Sequence, residues 1–216
     1  QIIPKNFLAI PKLGFINIHA SLLPTWRGAA PIQRAIMNED KTIGLSIMKI
    51  EEKLDSGPVM AFKKSELNKN LTFGEIEKKL SSEGANLLIE SLRILEAGNP
   101  KFIEQDHSKA TYAKKIDKNE TRINWNKDAN KVLAHIHGLS PRPGAWFEFE
   151  KERFKILKAK ISSANGKSGC VLDENLIIGC SSGSIQILEI QRQGKKKQTV
   201  KEFLLGKKIK KGTILV

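Results

Sequence analysis

The chain has 216 residues, 40% hydrophobic and 28% charged, a globular balance with room for one large domain or two small ones with real cores. No apolar run approaches the ~20 residues of a membrane-spanning helix, and Pro4 and Pro11 break the apolar start where a signal peptide would need a continuous run, so a soluble, cytoplasmic protein is expected. The net charge of +14 is uneven, +2 over residues 1–112 and +12 over residues 113–216; the second half is either a polyanion-binding module, most simply for nucleic acid, or a lysine-rich surface serving solubility.

Gln1 to Pro4 reads as the end of a strand already under way, and a helical turn follows through Asn6 to Ile10. Phe15 to His19 is a short apolar strand whose alternation puts Asn17 and His19 on one face. Ser21-Leu22-Leu23-Pro24 cannot be helix interior, because Pro24 restricts Leu23 to an extended backbone. Trp26, Arg27, Gly28, Ala29 and Ala30 lead to Pro31, which suits the first turn of a helix through Arg34 and Met37. Strand, irregular polar loop and helix start, in that order, describe the active-site edge of an α/β sheet; they equally describe an ordinary joint with a satisfied histidine. Thr42 to Lys49 alternates like a half-buried strand. It runs into a turn, Glu51 to Gly57, that sets Asp55 at the mouth of a loop. Asn17, His19 and Asp55, brought together from neighbouring strand ends, would form a trio able to polarise a carbonyl, stabilise an oxyanion and relay a proton. No serine or cysteine nucleophile is needed if the acceptor attacks directly.

Val59 to Lys63 makes another short strand. Thr72-Phe73-Gly74-Glu75 has the spacing of a capping box, so a long helix begins there. Ile76, Leu80, Ala85, Leu87, Leu88, Leu92 and Leu95 give it an apolar stripe and Gly98 ends it. Asn99 to Thr111, without periodicity, reads as a linker in which His107 is solvated. A further helix is expected from a cap near Asn126 to Leu139. His135 and His137 stand two apart on it, one at the surface and one in the core, and cannot chelate a metal as an i, i+4 pair would. Ser140-Pro141-Arg142-Pro143-Gly144-Ala145-Trp146-Phe147 is a rigid elbow into a strand. Short apolar runs at 154–157, 170–172, 176–178 and 185–190, separated by turn residues, suggest a small closed barrel, the OB type being a natural choice for a nucleic-acid module. Cys170 and Cys180 fall in these strands, where buried thiols fit a reducing cytosol better than a disulfide does. Lys195, Lys196 and Lys197 precede a helix from Thr199 to Leu205, and Lys207, Lys208, Lys210 and Lys211 follow it. This cluster is a phosphate-binding footprint or a solvated basic tail. No His, Cys or carboxylate cluster has metal-ligand spacing, and no glycine-rich phosphate loop is present.

Asn17-Ile18-His19, Ser21-Leu22-Leu23-Pro24, the run Trp26 to Gln33 (WRGAAPIQ) and Leu54-Asp55-Ser56-Gly57 together resemble the formyltetrahydrofolate-dependent formyltransferases, and the run from Trp26 looks like the branch acting on methionyl-tRNA. The resemblance implies an α/β fold, with the second half of a doubly wound, Rossmann-like domain over residues 1–98. It implies a linker at 99–111 and an OB-like, basic tRNA-binding domain over 112–216. The first half of the doubly wound sheet is then expected on the N-terminal side of Gln1. Asn17, His19 and Asp55 match the family's catalytic trio, and Ser21, Leu22, Leu23 and Pro24 match the segment lining the tetrahydrofolate site. The implied formyl donor is 10-formyltetrahydrofolate and the acceptor is the α-amine of initiator methionyl-tRNA. Arg27, Lys195, Lys196, Lys197, Lys207 and Lys208 are the expected tRNA contacts, with no metal, no membrane partner and a monomeric chain. Thr25 departs from the pattern, since the tRNA enzymes usually carry arginine there. The competing readings are a formyltransferase for a purine precursor or an amino sugar, and a tRNA-binding fragment without activity.

Overall fold

In chain order the elements are α1 (Lys5–Leu8), β1 (Ile16–His19), β2 (Arg27–Gly28), α2 (Pro31–Met37), β3 (Thr42–Lys49), β4 (Val59–Glu66), α3 (Phe73–Glu96), β5 (Tyr112–Ala113), α4 (Ala129–Leu139), β6 (Ala145–Phe149), β7 (Glu152–Ser162), β8 (Ile177–Gly179), β9 (Ser184–Arg192), β10 (Gln198–Thr199) and α5 (Val200–Gly206). They are taken from a computed structural model that describes residues 3–216; Gln1 and Ile2, expected to end a strand, lie outside the described residues. The chain divides into two units. The first comprises residues 3–35, Asp40–Leu67 and Glu75–Lys115, and the second Ile36–Glu39, Asn68–Gly74 and Ile116–Val216. No helix among the described residues is long and apolar enough to cross a membrane.

The first unit is built on a sheet of order β1-β3-β4 in which both pairings are antiparallel. A strand–loop–helix–strand order in a doubly wound domain predicts a parallel crossover; β1 and β3 instead pair antiparallel, a return that the chain between His19 and Thr42 is also long enough to make. The register places His19 opposite Ser46 and Asn17 opposite Met48. These four side chains therefore share one face of the sheet, while Ile18, Leu45 and Ile47 share the other.

The helix α3 covers that second face. A Cβ placed on Gly84 would stand 3.4 Å from Leu45 and 3.5 Å from Ile18. Its buried positions within this unit, Ile76, Leu80, Gly84, Ser91 and Leu95, keep the three-and-four rhythm that the apolar stripe predicts. Ala85 and Leu92, expected in the stripe, are exposed. With both faces covered, β3 is buried from Ile43 through Met48 rather than on alternate residues. Residues 99–111, expected as a linker, are no free tether. Ile103 exchanges backbone hydrogen bonds with Val59 (2.8 and 2.9 Å), and Thr111 accepts from the Arg27 amide at 2.9 Å.

In the second unit α4 and α5 accompany a sheet of order β10-β9-β7-β6, with β8 on the flank of β9. The 11-residue β7 pairs with both β6 and β9 and shifts register twice, between Ile156 and Ala159. Such bulges bend a strand and strengthen its twist. Backbone hydrogen bonds then carry the sheet round: Glu148 to Val216, Leu215 to Gly169, Val171 to Thr213 and Leu172 to Ile177. Inside lies one apolar core including Ile136, Leu139, Phe147, Phe154, Ile178 and Ile185. Phe154 stacks on Phe147 at 5.5 Å and meets Phe203 edge-on at 5.8 Å.

Two local expectations are corrected here. The cap of α4 is Asp128, not Asn126: its carboxylate accepts from the Asn130 and Lys131 amides, where negative charge also suits the helix dipole. His135, expected at the surface, is half-buried with Nε2 2.7 Å from the Glu120 carbonyl oxygen. His137 lies fully within the core, its ring nitrogens 3.0 and 3.1 Å from the carbonyls of Lys69 and Ala159.

Candidate active site

The three residues singled out as a trio reach the site face of the first unit by two routes. Asn17 and His19 come from β1, two residues apart and on one face. Asp55 comes from the turn after β3. His19 Nδ1 stands 3.7 Å from Asp55 Oδ2, and Nε2 donates to the Trp26 carbonyl at 2.9 Å. The imidazole is thus fixed through Nε2 with Nδ1 turned towards the Asp55 carboxylate, and only 5% of the residue is exposed. Asp55 Oδ2 also accepts the Gly28 amide at 2.7 Å. Asn17, half-buried, shares the strand face with this pair.

Both residues that hold the histidine pay for their placement in backbone conformation. Trp26 has φ 60° and Asp55 φ 46°, the left-handed region that side-chain-bearing residues seldom enter. The neighbouring glycines explain why the loops can pass so closely. A Cβ on Gly57 would fall 2.1 Å from the Lys49 carbonyl oxygen; one on Gly28, at φ 116°, would fall 2.8 Å from that of Ala113. Those two positions admit only glycine, which accounts for two of the motif residues on packing grounds.

The Ser21–Pro24 segment is pinned to the sheet by Ser46, which sequence reasoning passed over as one position in a strand. Its hydroxyl accepts the Leu23 amide at 3.0 Å and donates to the Ser21 carbonyl at 2.7 Å, and the residue is fully buried. Leu23 packs with Met48 and Val59. Ser21 and Leu22, together with Trp26, Asp40 and Thr42 among others, line a cavity of about 270 Å³. Trp26 donates its indole N–H to Asp40 at 2.7 Å across this wall. Of the four residues expected to line a ligand site, Ser21 and Leu22 face this cavity, while Leu23 turns into the core.

Arg27, expected as a tRNA contact, is instead buried, 4% exposed. Its Nε and Nη2 donate to Gln105 Oε1 at 3.1 and 2.7 Å, and Nη2 lies 2.9 Å from His107 Nδ1. A guanidinium so enclosed is spent inside the protein rather than on a phosphate. Gln105 turns its amide nitrogen the other way, donating to the carbonyls of Asp55 at 3.0 Å and Gly57 at 2.7 Å. Gln105 lies in the stretch read as a linker. Its partners come from loops far away in sequence, so no local pattern marks it. His107, read as solvated, is exposed but engaged by Arg27.

In the second unit the expected basic residues divide. Lys195, Lys196, Lys197 and Lys208 are exposed. Lys195, Lys196, Arg192, Gln198 and Lys207 help line a concavity of about 350 Å³ floored by Phe203. Lys207 is already engaged: its ammonium lies 2.8 Å from Glu150 and 3.5 Å from Glu152, above the rings of Phe149 and Phe154. The Glu150 carboxylate raises its pKa. Arg192 is likewise paired with Glu152 at 2.6 Å, and Lys197 with Glu189 at 3.3 Å. Lys207, expected as a tRNA contact, lies between the counter-charges of Glu150 and Glu152. Among the described residues no group of three or more His, Cys, Asp or Glu is placed to hold a metal ion.

Comparison with known proteins agrees in both units. Residues 1–92 match the family model described as formyl transferase, and residues 115–208 match that of the formyl transferase C-terminal domain. A protein of Pelagibacter ubique named methionyl-tRNA formyltransferase is 50% identical over 214 residues, 99% of this chain and 69% of the relative. One of the same name from Bradyrhizobium diazoefficiens is 44% identical, over 98% of this chain and 70% of its own length. Among solved structures, HypX from Aquifex aeolicus in complex with tetrahydrofolic acid superposes with a TM-score of 0.71 at 22% identity, covering 92% of this chain and 38% of that one. The methionyl-tRNA formyltransferase of Clostridium thermocellum gives 0.60 at 20% identity, over 76% of this chain and 70% of its own. At these identities the structural matches speak for the fold alone.

Proposed function

The chain belongs to the formyl transferase family, and on that premise we propose that it transfers the formyl group of 10-formyltetrahydrofolate to the α-amine of methionyl-tRNA, the step that prepares initiator tRNA for translation. One observation carries the site assignment: His19 Nδ1 and Asp55 Oδ2 stand 3.7 Å apart, on the strand face that also presents Asn17. An amide, an imidazole and a carboxylate are able to polarise a formyl carbonyl, stabilise its oxyanion and relay a proton. The donor set fits a folate-borne formyl group, which supplies an activated one-carbon unit when bound. Asn17 offers its amide N–H to the oxygen that gains charge as the amine adds. His19 supports the same oxygen through Nδ1 when the ring is protonated, since Nδ1–H is the one ring donor not committed to Trp26, and the Nε2 bond to Trp26 keeps the ring in one orientation. Asp55 orients His19 and takes part in removing the amine proton; as the tetrahedral adduct collapses, the bond from the formyl carbon to the folate nitrogen breaks and that nitrogen takes up a proton, so tetrahydrofolate leaves neutral. The Ser21–Pro24 segment and the cavity beside it form one wall of the proposed folate site.

The curled sheet of the second unit we read as an OB-like barrel, a fold that suits a nucleic-acid module. The hydrogen bonds that run from β6 through Val216 and Gly169 towards β8 support that reading. The expected tRNA-binding domain, residues 112–216, then begins at Ile116, since Tyr112–Lys115 belong to the first unit; Lys195, Lys196, Lys197 and Lys208 are its proposed phosphate contacts. Lys207 shapes the concavity beside them. The proposed setting is a monomer in the cytoplasm.

The test is formyl transfer measured on methionyl-tRNA beside a purine precursor and an amino sugar. Asn17→Ala should lower turnover on methionyl-tRNA about 10²–10³-fold, with the fold unchanged. Near-normal turnover in Asn17→Ala or His19→Ala would remove the roles assigned here, and faster transfer to either small acceptor would remove the tRNA substrate.

A further inference from the structure

We propose that Gln105 is a positioning residue for the reaction: through its two-sided amide it holds Asp55 at the distance from His19 that catalysis uses. The inference rests on the formyl-transfer reading above and extends it to a residue outside every motif. Gln105 is 8% exposed and all four hydrogen-bonding capacities of its amide are met. Oε1 accepts twice, from Arg27 Nε and Nη2. Nε2 donates twice, to the backbone carbonyls of Asp55 and Gly57. The amide orientation is fixed by chemistry, since a guanidinium only donates and a carbonyl only accepts.

These bonds close a circuit. Asp55 presents its carboxylate to His19 and to the amide of Gly28. Gly28 follows Arg27, the guanidinium of Arg27 grips Gln105, and Gln105 returns to the Asp55 carbonyl. The strap that carries Gln105 is itself registered on the same loop, because Arg27 and Ala29 donate their amides to Thr111 and Ala113 at 2.9 Å each. Asp55 sits at φ 46°, a conformation the backbone leaves unless outside bonds retain it. Gln105 supplies those bonds on the carbonyl side, and Gly28 supplies one on the carboxylate side. Glutamate at position 105 would match the volume and still pair with Arg27. It would, however, turn an oxygen towards two carbonyls that need a donor, and the Asp55 loop would release.

The experiment is a double-mutant cycle on the full chain. Gln105→Glu should lower kcat on methionyl-tRNA about 10–100-fold, the scale of a misplaced catalytic group, with KM changed less than about threefold. In an Asp55→Asn background the same substitution should cost less than about twofold, because the positioned group is already gone. In parallel, amide hydrogen exchange at Gly28 should quicken in Gln105→Glu while exchange in the α3 core stays as in the wild type. A merely structural role would instead slow both backgrounds equally and loosen the core. If Gln105→Glu fails to fold, Arg27→Lys breaks the circuit at its other joint and should give the same pattern. Wild-type kcat, multiplicative losses in the cycle, or unchanged Gly28 exchange would each overturn the proposal. If the wild-type chain forms no formyl-methionyl-tRNA, the functional reading falls, and Gly28 exchange alone decides whether Gln105 holds Asp55.

Discussion

Replacing Ser46 by alanine removes a single oxygen, yet the structure assigns it a large effect. That hydroxyl is fully buried and serves two backbone groups of the Ser21–Pro24 segment, accepting from the Leu23 amide and donating to the Ser21 carbonyl. Each buried polar group left without a partner costs roughly 1–3 kcal/mol. The pair sets the expected loss at about 2–6 kcal/mol, a large share of the ~5–15 kcal/mol that holds a typical domain folded. Ser91 provides an internal control. It is also buried, but its hydroxyl donates at 2.7 Å to the Leu87 carbonyl four residues back on the same helix. Ser91→Ala orphans no backbone group, and alanine is the better helix former, so its effect should stay within about 0.5 kcal/mol. Urea unfolding followed by circular dichroism compares the two variants, and hydrogen exchange at the Leu23 amide reads the local consequence. Equal stability of Ser46→Ala and Ser91→Ala would refute the claim that Ser46 anchors the loop.

Removing Lys195 and Lys196 together should weaken tRNA binding and lower the slope of log affinity against log salt by about 0.7–0.9 per lysine, if each meets a phosphate; an unchanged slope in a filter-binding titration would take both residues out of the footprint. Burial lowers the His135 pKa below its ordinary value of 6.5, so the unfolded chain takes up the proton first on acidification. Stability should therefore begin to fall as the pH drops through about 6.5, and His135→Gln, which retains a donor for the Glu120 carbonyl, should flatten that decline in urea midpoints measured from pH 8 to pH 5. Burial pushes the Cys180 thiol up to about 11, leaving on the order of 10⁻³ of it as thiolate at pH 8; iodoacetamide followed by mass spectrometry should modify Cys180 only in denaturant, and rapid labelling of the native protein would contradict its placement in the core.

What could be read in the sequence was whatever depends on near neighbours. The strand 42–49, the helix from Phe73 to its glycine stop, and the strands of the second unit all follow from alternation, periodicity and punctuation. That Asn17, His19 and Asp55 could meet follows from their places at the ends of neighbouring strands. The pairing direction of those strands was hidden, since the chain between His19 and Thr42 allows either a crossover or an antiparallel return. Also hidden are the partners of the buried polar groups that bond across long stretches of chain. Arg27 is expected as a tRNA contact from the resemblance alone, and its acceptor is Gln105, 78 residues on. The partners of Lys207 are equally remote, Glu150 and Glu152 coming from 57 and 55 residues away.

Those misses share a cause that bears on how such a site is built. A loop that holds Trp26 and Asp55 at positive φ cannot be kept in place by its own residues, whose local preferences run against it. The restraining bonds must come from elements already fixed by other packing, and here they do. Ser46 lies on the most buried strand of the first unit, and Gln105 on a segment stitched to β4 and β2. Substitutions at these two residues should therefore disturb the chemistry of the site while leaving every motif residue intact. A survey confined to the motifs would find the groups that react and overlook those that keep them within reach of one another.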